Sequence, residues 1–367
     1  MPEAGAGALG GAATGPAWVA DPSIAWRILL TADLTHALDP GTARTRLAGL
    51  HAAQHWPGPA RVVVGDDVAE LCRDLGEERS GVVSLGLAGG GRQVVVSAHH
   101  AAVDGLGLLA VLAAVTGSPV TSSARGVGDR PDSAGAVGTV VRRLGEVVAR
   151  PPARIAVPPG PGAGTQAEAR AGRSHDVHVA RDVPGEVRTV DLVLAASRGV
   201  LAHNERLAHG RPRARHRRHV AVAVGVARQV TASSIADRSA LLRLRDAERL
   251  DRDAVAAALR EAPTQRPPAE AASGTVGAGL VRMGMRVLAP RLGSTLLVSH
   301  LGRVRGEGLE SLAFHPVTVG GSGVSLGACT FDTSTGTTTR VTLRARGDRW
   351  THDGLEQLLE AVVDALG

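Results

Sequence analysis

The sequence predicts an α/β fold in two lobes, on three observations. Short runs rich in β-branched residues, among them Val62–Val64, Val94–Val96 and Val220–Val226, favour extended strands. Other stretches, such as Val190–Leu207 and Leu355–Leu366, repeat apolar residues at helical spacing. From about Gly117 to Gly164, Ser, Gly and Pro dominate and break both patterns, which reads as the connection between two lobes. At 367 residues and 44% hydrophobic content the chain can fill one large or two modest cores.

Taken in order, residues 1–17 are Gly/Ala-rich and are expected to form a disordered tail. The first lobe, with its connection, is assigned to residues 18–164 and the second to 165–367. Ile24–Leu30 suits a strand, and Asp39-Pro40 opens a helical pattern through Leu47 and Leu50. Val82–Leu87 and Val94–Val96 read as a hairpin turning at Gly89-Gly90-Gly91. Within the connection one helix is expected at Val137–Val148. In the second lobe an extended run near His175–Val179 precedes a helix over Val190–Leu207, with Thr189 as its expected cap. Val324–Phe331 and Thr338–Leu343 read as paired strands. The last helix carries Asp353 and Glu356 in capping-box spacing ahead of the stripe Leu355, Leu358, Leu359, Val362 and Leu366.

One stretch organises the functional reading: Val94-Val95-Val96-Ser97-Ala98-His99-His100-Ala101-Ala102-Val103-Asp104-Gly105. A strand ends in two histidines, and Asp104 stands where the helix carrying Leu106, Leu109, Ala110 and Ala113 begins. Alternation along a strand puts His100 on the face of Val96 and Ala98, and His99 on the other. One imidazole can then face a cleft while its neighbour is held in the body of the protein. A neutral histidine titrates near physiological pH, which suits it to take a proton from a hydroxyl or amine. Asp104 by itself reads as an N-cap.

His-His, three small apolar residues and Asp-Gly between a strand and a helix resemble the HHxxxDG signature of condensation-domain and chloramphenicol-acetyltransferase-like acyltransferases. That superfamily includes stand-alone condensation proteins, polyketide-associated acyltransferases and wax-ester-synthase-like enzymes. The resemblance implies an α+β sandwich of two such lobes in a V, with a channel at their interface. It implies His100 as catalytic base, with His99, Asp104 and Gly105 completing the motif and Asp104 orienting its loop. Backbone amides near Gly105, at a helix start, are expected donors to an oxyanion. The donor would be a thioester on coenzyme A or on a carrier protein's phosphopantetheine, the acceptor a hydroxyl or amine. No bound cofactor or metal is implied.

Two further segments enter by the same resemblance. Arg228, after the strand Val220–Val226, corresponds to an arginine that reaches the aspartate of the motif. Leu296-Leu297-Val298-Ser299-His300-Leu301-Gly302 is similar to a Ser-Asn-x-x-Gly stretch, with His300 in place of the Asn and the glycine earlier. Ser299 and His300 are the candidates for the substrate channel or oxyanion site, and a purely structural strand-to-loop role is the other reading. The DFGWG motif of several relatives is absent, and Gly320-Gly321-Ser322-Gly323 stands in its region. Two rival functions keep the fold: a cyclisation or other non-transfer step on a natural-product scaffold, or a non-catalytic module that binds a carrier protein or synthase.

Composition narrows the field. The net charge is +6 and the pI near 10.9, yet 35 acids are interspersed and no nucleic-acid module is recognisable. Four Trp, two Phe and no Tyr offer few platforms for stacking bases. All 41 basic residues are Arg, so the run Arg211-Pro212-Arg213-Ala214-Arg215-His216-Arg217-Arg218 reads first as a solvated loop in an arginine-biased chain. Its functional reading is a grip on coenzyme A phosphates or a carrier protein. Cys72 and Cys329, without CxxC or a Cys/His cluster, argue against a disulfide framework or structural zinc. With no basic leader and no apolar run near the ~18 residues a membrane span needs, the expectation is a cytoplasmic protein.

Overall fold

The structure is a computed structural model that describes residues 25–128, 151–158, 175–208, 219–228, 235, 239–264, 293–317 and 323–367. The expected tail, the helix at Val137–Val148 and the arginine run 211–218 lie outside the described residues.

The first half supplies β1 (Arg27–Leu34), α1 (Pro40–Ala53), β2 (Arg61–Val64), α2 (Val68–Gly76), β3 (Val83–Ala88), β4 (Gln93–His99), α3 (Gly105–Thr116) and β5 (Val120–Ser122). The second supplies β6 (Asp176–Pro184), α4 (Thr189–Leu207), β7 (Val222–Ala227), β8 (Ser239–Leu244), α5 (Arg252–Glu261), β9 (Leu296–Gly306), β10 (Leu309–His315), β11 (Val324–Thr333), β12 (Gly336–Arg346) and α6 (His352–Asp364). The hairpin β3–β4 forms as its sequence predicts, turning at Gly89–Gly91.

The strands make two mixed sheets. The first runs β10-β1-β4-β3-β2, antiparallel except for the parallel pair β2/β3. The second runs β6-β12-β11-β9-β7-β8, with β9 parallel to both neighbours. Two strands trade places between the halves. β10 comes from the second half but adds to the edge of the first sheet, beside β1, while β5 pairs antiparallel with β9.

Burial follows this layering. One core packs α1 and α3 on the face of the first sheet that carries Ile28, Leu30, Val94, Val96 and Ala98. It takes in Leu301, Val304, Leu312 and Phe314 from the second half. The opposite face, with Leu29 and Val95, meets α2 through Leu71, Cys72 and Leu75. The second sheet buries Val222, Val298, Leu326 and Leu343 against the stripe Leu355, Leu358, Leu359 and Val362 of α6 and against α4. The sheets are joined by polar groups as well. Cys329 Sγ donates to the Leu312 carbonyl at 3.2 Å and Ser325 Oγ to the Pro316 carbonyl at 2.6 Å.

Two helix caps differ from expectation. α4 is capped by Arg188, with extended backbone and no side-chain cap bond, so Thr189 is already helical and its hydroxyl is used elsewhere. At α6 the cap is Thr351, whose φ/ψ of −86°/160° suits that role and whose Oγ1 accepts from Gly354 N at 3.2 Å. Asp353 is the second residue of the helix, where its charge complements the N-terminus.

Candidate active site

The two histidines lie where β4 runs out. His99 is the last residue of the strand and pairs with Arg27 of β1, while His100 sits in the turn that follows. Both are half-buried. The turn closes on the strand end: the amides of Ala102 and Val103 donate to the His99 carbonyl at 3.0 and 3.2 Å. Burial lowers the pKa of His99, helped by the Arg27 guanidinium and by His100. That imidazole is therefore held neutral, and its Nδ1 accepts from the Ala101 amide at 3.3 Å.

His100 is held in three ways. Its amide donates to the Trp26 carbonyl at 2.9 Å, extending the β1/β4 register by one residue. Its ring stacks on the Trp26 indole, with centroids 5.6 Å apart and planes 21° from parallel. Its Nδ1 lies 3.3 Å from the Val103 carbonyl. A carbonyl only accepts, so this contact places the proton on Nδ1 and leaves Nε2 with the basic lone pair. The small side chains of Ala101, Ala102 and Val103 bring no polar atom to compete for the imidazole.

Asp104 is the N-cap of α3. It is buried, and its Oδ1 accepts from Gly107 N at 2.7 Å. The next turn has little room. A Cβ on Gly105 would lie 2.8 Å from Leu301 Cδ2 and 3.1 Å from Phe314 Cζ, and one on Gly107 would lie 2.5 Å from the Ile235 carbonyl oxygen. The start of α3 thus rests on β9 and β10, and both halves of the chain build the site.

Ser299 and His300 part company on β9. Ser299 shares a face with Leu301, the residue that touches Gly105, and is flanked in register by Gly225 and Gly327. His300 takes the opposite face, where its Nδ1 meets Thr189 Oγ1 of α4 at 3.1 Å. Its Nε2 is shut from solvent with no hydrogen-bond partner, and burial pushes the imidazole down to about 4. The structure brings Ser299 to the side of the motif and ties His300 to a helix. Arg228 follows the end of β7, its carbonyl accepting from Gly128 N at 2.9 Å.

No family model matches the chain, and no curated protein matches it in sequence. Solved structures do match. The condensation domain of Monacolin K polyketide synthase MokA is similar at a TM-score of 0.50 and 11% identity, over 97% of this chain and 95% of that one. The fold is that of a condensation domain. The first condensation domain of the calcium-dependent antibiotic synthetase, solved with a substrate analogue, matches at 0.50 and 17% identity, over 97% and 94% of the two chains. A mutant starter condensation domain of rhizomide synthetase, in complex with C8-CoA, matches at 0.52 and 13%, over 95% and 90%.

Sequence reasoning passed over the residues around the condensation fold's candidate histidines. Trp26 has a left-handed backbone, φ 51°, and is buried. Arg27 is fully buried; its Nε donates to Ser97 Oγ at 2.7 Å and its Nη1 to the Gly81 carbonyl at 3.1 Å. Burial lowers its pKa to about 10, against the pull of Glu78. Arg344 of β12 reaches across from the second sheet and donates to the Arg27 carbonyl at 2.6 Å, while Asp176 holds its other nitrogens at 2.8 Å. An arginine inside a predicted strand was the available signal, and it does not name its partner. Among the described residues no group of three or more His, Cys, Asp or Glu is placed to hold a metal ion. None of their helices is long and apolar enough to cross a membrane.

Proposed function

We propose that the chain is an acyltransferase that moves an acyl group from a thioester to a hydroxyl or amine, with His100 as general base. The observation that carries this reading is the held imidazole of His100, Nδ1 on the Val103 carbonyl and Nε2 left basic, in a condensation-domain fold. Nε2 takes the acceptor's proton as the acceptor oxygen or nitrogen attacks the thioester carbonyl. The tetrahedral oxyanion then collapses, the C–S bond breaks, and the proton passes to the leaving thiolate. A base of this kind contributes about 10²–10⁴-fold, and positioning supplies much of the rest.

In this reading the first-turn amides of α3 at Gly105 and Leu106, which a helix leaves without intrahelical acceptors, face the oxyanion. Ser299 is a second donor on the β9 face, and His300 supports that strand through Thr189. Asp104 fixes the turn by capping α3 and by pairing with Arg228, since a buried carboxylate without a cation is costly. The donor is acyl-CoA or an acyl or peptidyl carrier protein; the solved complex of a related fold with C8-CoA supports that class. The setting is natural-product or lipid biosynthesis in the cytoplasm, where such thioesters are made.

The test is thiol release from a panel of acyl thioesters with alcohol and amine acceptors, products identified by mass spectrometry. Acceptor-dependent release with an ester or amide product is expected. A cyclised product without acceptor would replace transfer by ring closure. No release, together with tight synthase binding that survives His100→Ala, would make the protein a binding module.

A further inference from the structure

We propose that Trp26 is the positioning residue that stabilises the protonated form of His100 during turnover, the indole face standing where other histidine bases use a carboxylate. The inference rests on the base role of His100. A histidine that takes a proton becomes a cation in the transition state, and catalytic sites commonly stabilise that cation through a carboxylate on Nδ1. Here Nδ1 faces a neutral carbonyl, that of Val103, and no carboxylate of the described residues bonds the ring. What lies against the imidazole is the Trp26 ring, 5.6 Å between centroids and 21° from parallel. That is within the roughly 6 Å at which an indole face attracts a cation, and indole is the best of the aromatic faces for it.

The backbone fixes this stack from both sides. Trp26 sits at φ 51°, a left-handed conformation uncommon for any residue but glycine. On one side its carbonyl accepts the His100 amide, and on the other Arg344 Nη1 grips the carbonyl of Arg27 at 2.6 Å. The ring itself is buried. Other charges near the turn do not replace it. His99 is neutral and adjacent, the Arg27 guanidinium is spent on Ser97, the Gly81 carbonyl and the buried Glu78 carboxylate, which also pairs with Arg61, and Asp104 caps Gly107. Leu301 and Phe314, which pack on the start of α3, are apolar.

The test titrates His100 in the full chain by ¹⁵N-histidine NMR, its resonance assigned by loss in His100→Gln. Wild type is compared with Trp26→Leu, Trp26→Phe and wild-type chain grown with a ring-fluorinated tryptophan, which keeps the shape but weakens the π face. The midpoint is expected at lower pH in Trp26→Leu and in the fluorinated chain, with Trp26→Phe between. In the transfer assay kcat falls about 2- to 30-fold in Trp26→Leu, with KM little changed. An unchanged midpoint in the fluorinated chain overturns the inference even if Trp26→Leu fails to fold. The NMR result needs no turnover. A shifted midpoint with no acyl transfer would sink the proposed function and with it the role in turnover, leaving only the contact between indole and imidazolium; transfer that depends on His100 with an unmoved midpoint would keep the proposed function and overturn this inference.

Discussion

Among the described residues two histidine pairs stand out, and they are built for opposite ends. His99 and His100 are neighbours in sequence, half-buried in a turn at the end of β4. His178 of β6 and His315 of β10 come from different sheets and meet edge to face, ring centroids 5.0 Å apart. His178 Nε2 and His315 Nδ1 are shut from solvent without hydrogen-bond partners. Burial, the Arg344 charge and, for His178, its partner ring push both imidazoles down, His315 to about 3 and His178 well below its ordinary value. The first pair leaves one basic nitrogen for an incoming proton. The second sits where a proton is least welcome, at the seam between the sheets. What separates them is backbone placement rather than residue type.

Several experiments break or sharpen that contrast. The largest effect is expected at the seam. Arg344→Leu leaves Asp176 and the Arg27 carbonyl without their partner, and should cost about 3–5 kcal/mol, read as a lower urea midpoint. Next comes acid. His315 has a folded pKa near 3, below the ordinary 6.5, so above pH 6.5 it is neutral in both states and contributes nothing to the pH dependence. As pH falls from there the unfolded chain takes up a proton that the folded chain refuses. Stability is therefore lost on acidification, by about 1.4 kcal/mol per pH unit for such a histidine. Urea titrations at pH 7, 6, 5 and 4 should show that slope, and His315→Leu should flatten it; an identical slope in the variant would remove the seam from the account.

A smaller change is expected at the turn. Asp104→Ala removes the cap on Gly107 and should cost about 1 kcal/mol from that bond alone, with a larger loss if Arg228 is its partner. A double-mutant cycle with Arg228→Ala measures the coupling, and strict additivity would dissolve the pair. The smallest effect is chemical. Cys72 and Cys329 are buried free thiols raised to about 12 by burial, so neither should react with a thiol reagent at pH 8 until urea unfolds the chain.

The same contrast marks what the sequence could tell. The strand, the two histidines, the Asp104 cap and the helix after it are local, and each follows from spacing or from a capping side chain. The stripe on α6 is legible for the same reason, although its cap lies at Thr351 rather than Asp353. What escaped is non-local. Nothing in Leu309–His315 says that the strand crosses to pair with β1, and so nothing announces that His315 will meet His178. Trp26 is one tryptophan at a strand start until the β1/β4 register sets it against His100. Ser299 and His300 look alike as candidates in sequence, and only the pleat of β9 separates them.

The central claim is that His100 is the base of an acyl transfer. It is tested most directly by comparing thiol release in wild type and His100→Ala with a productive thioester and acceptor. A fall of about 10²-fold or more in kcat/KM, with the variant folded, is the predicted result. Equal rates in the two proteins would contradict it.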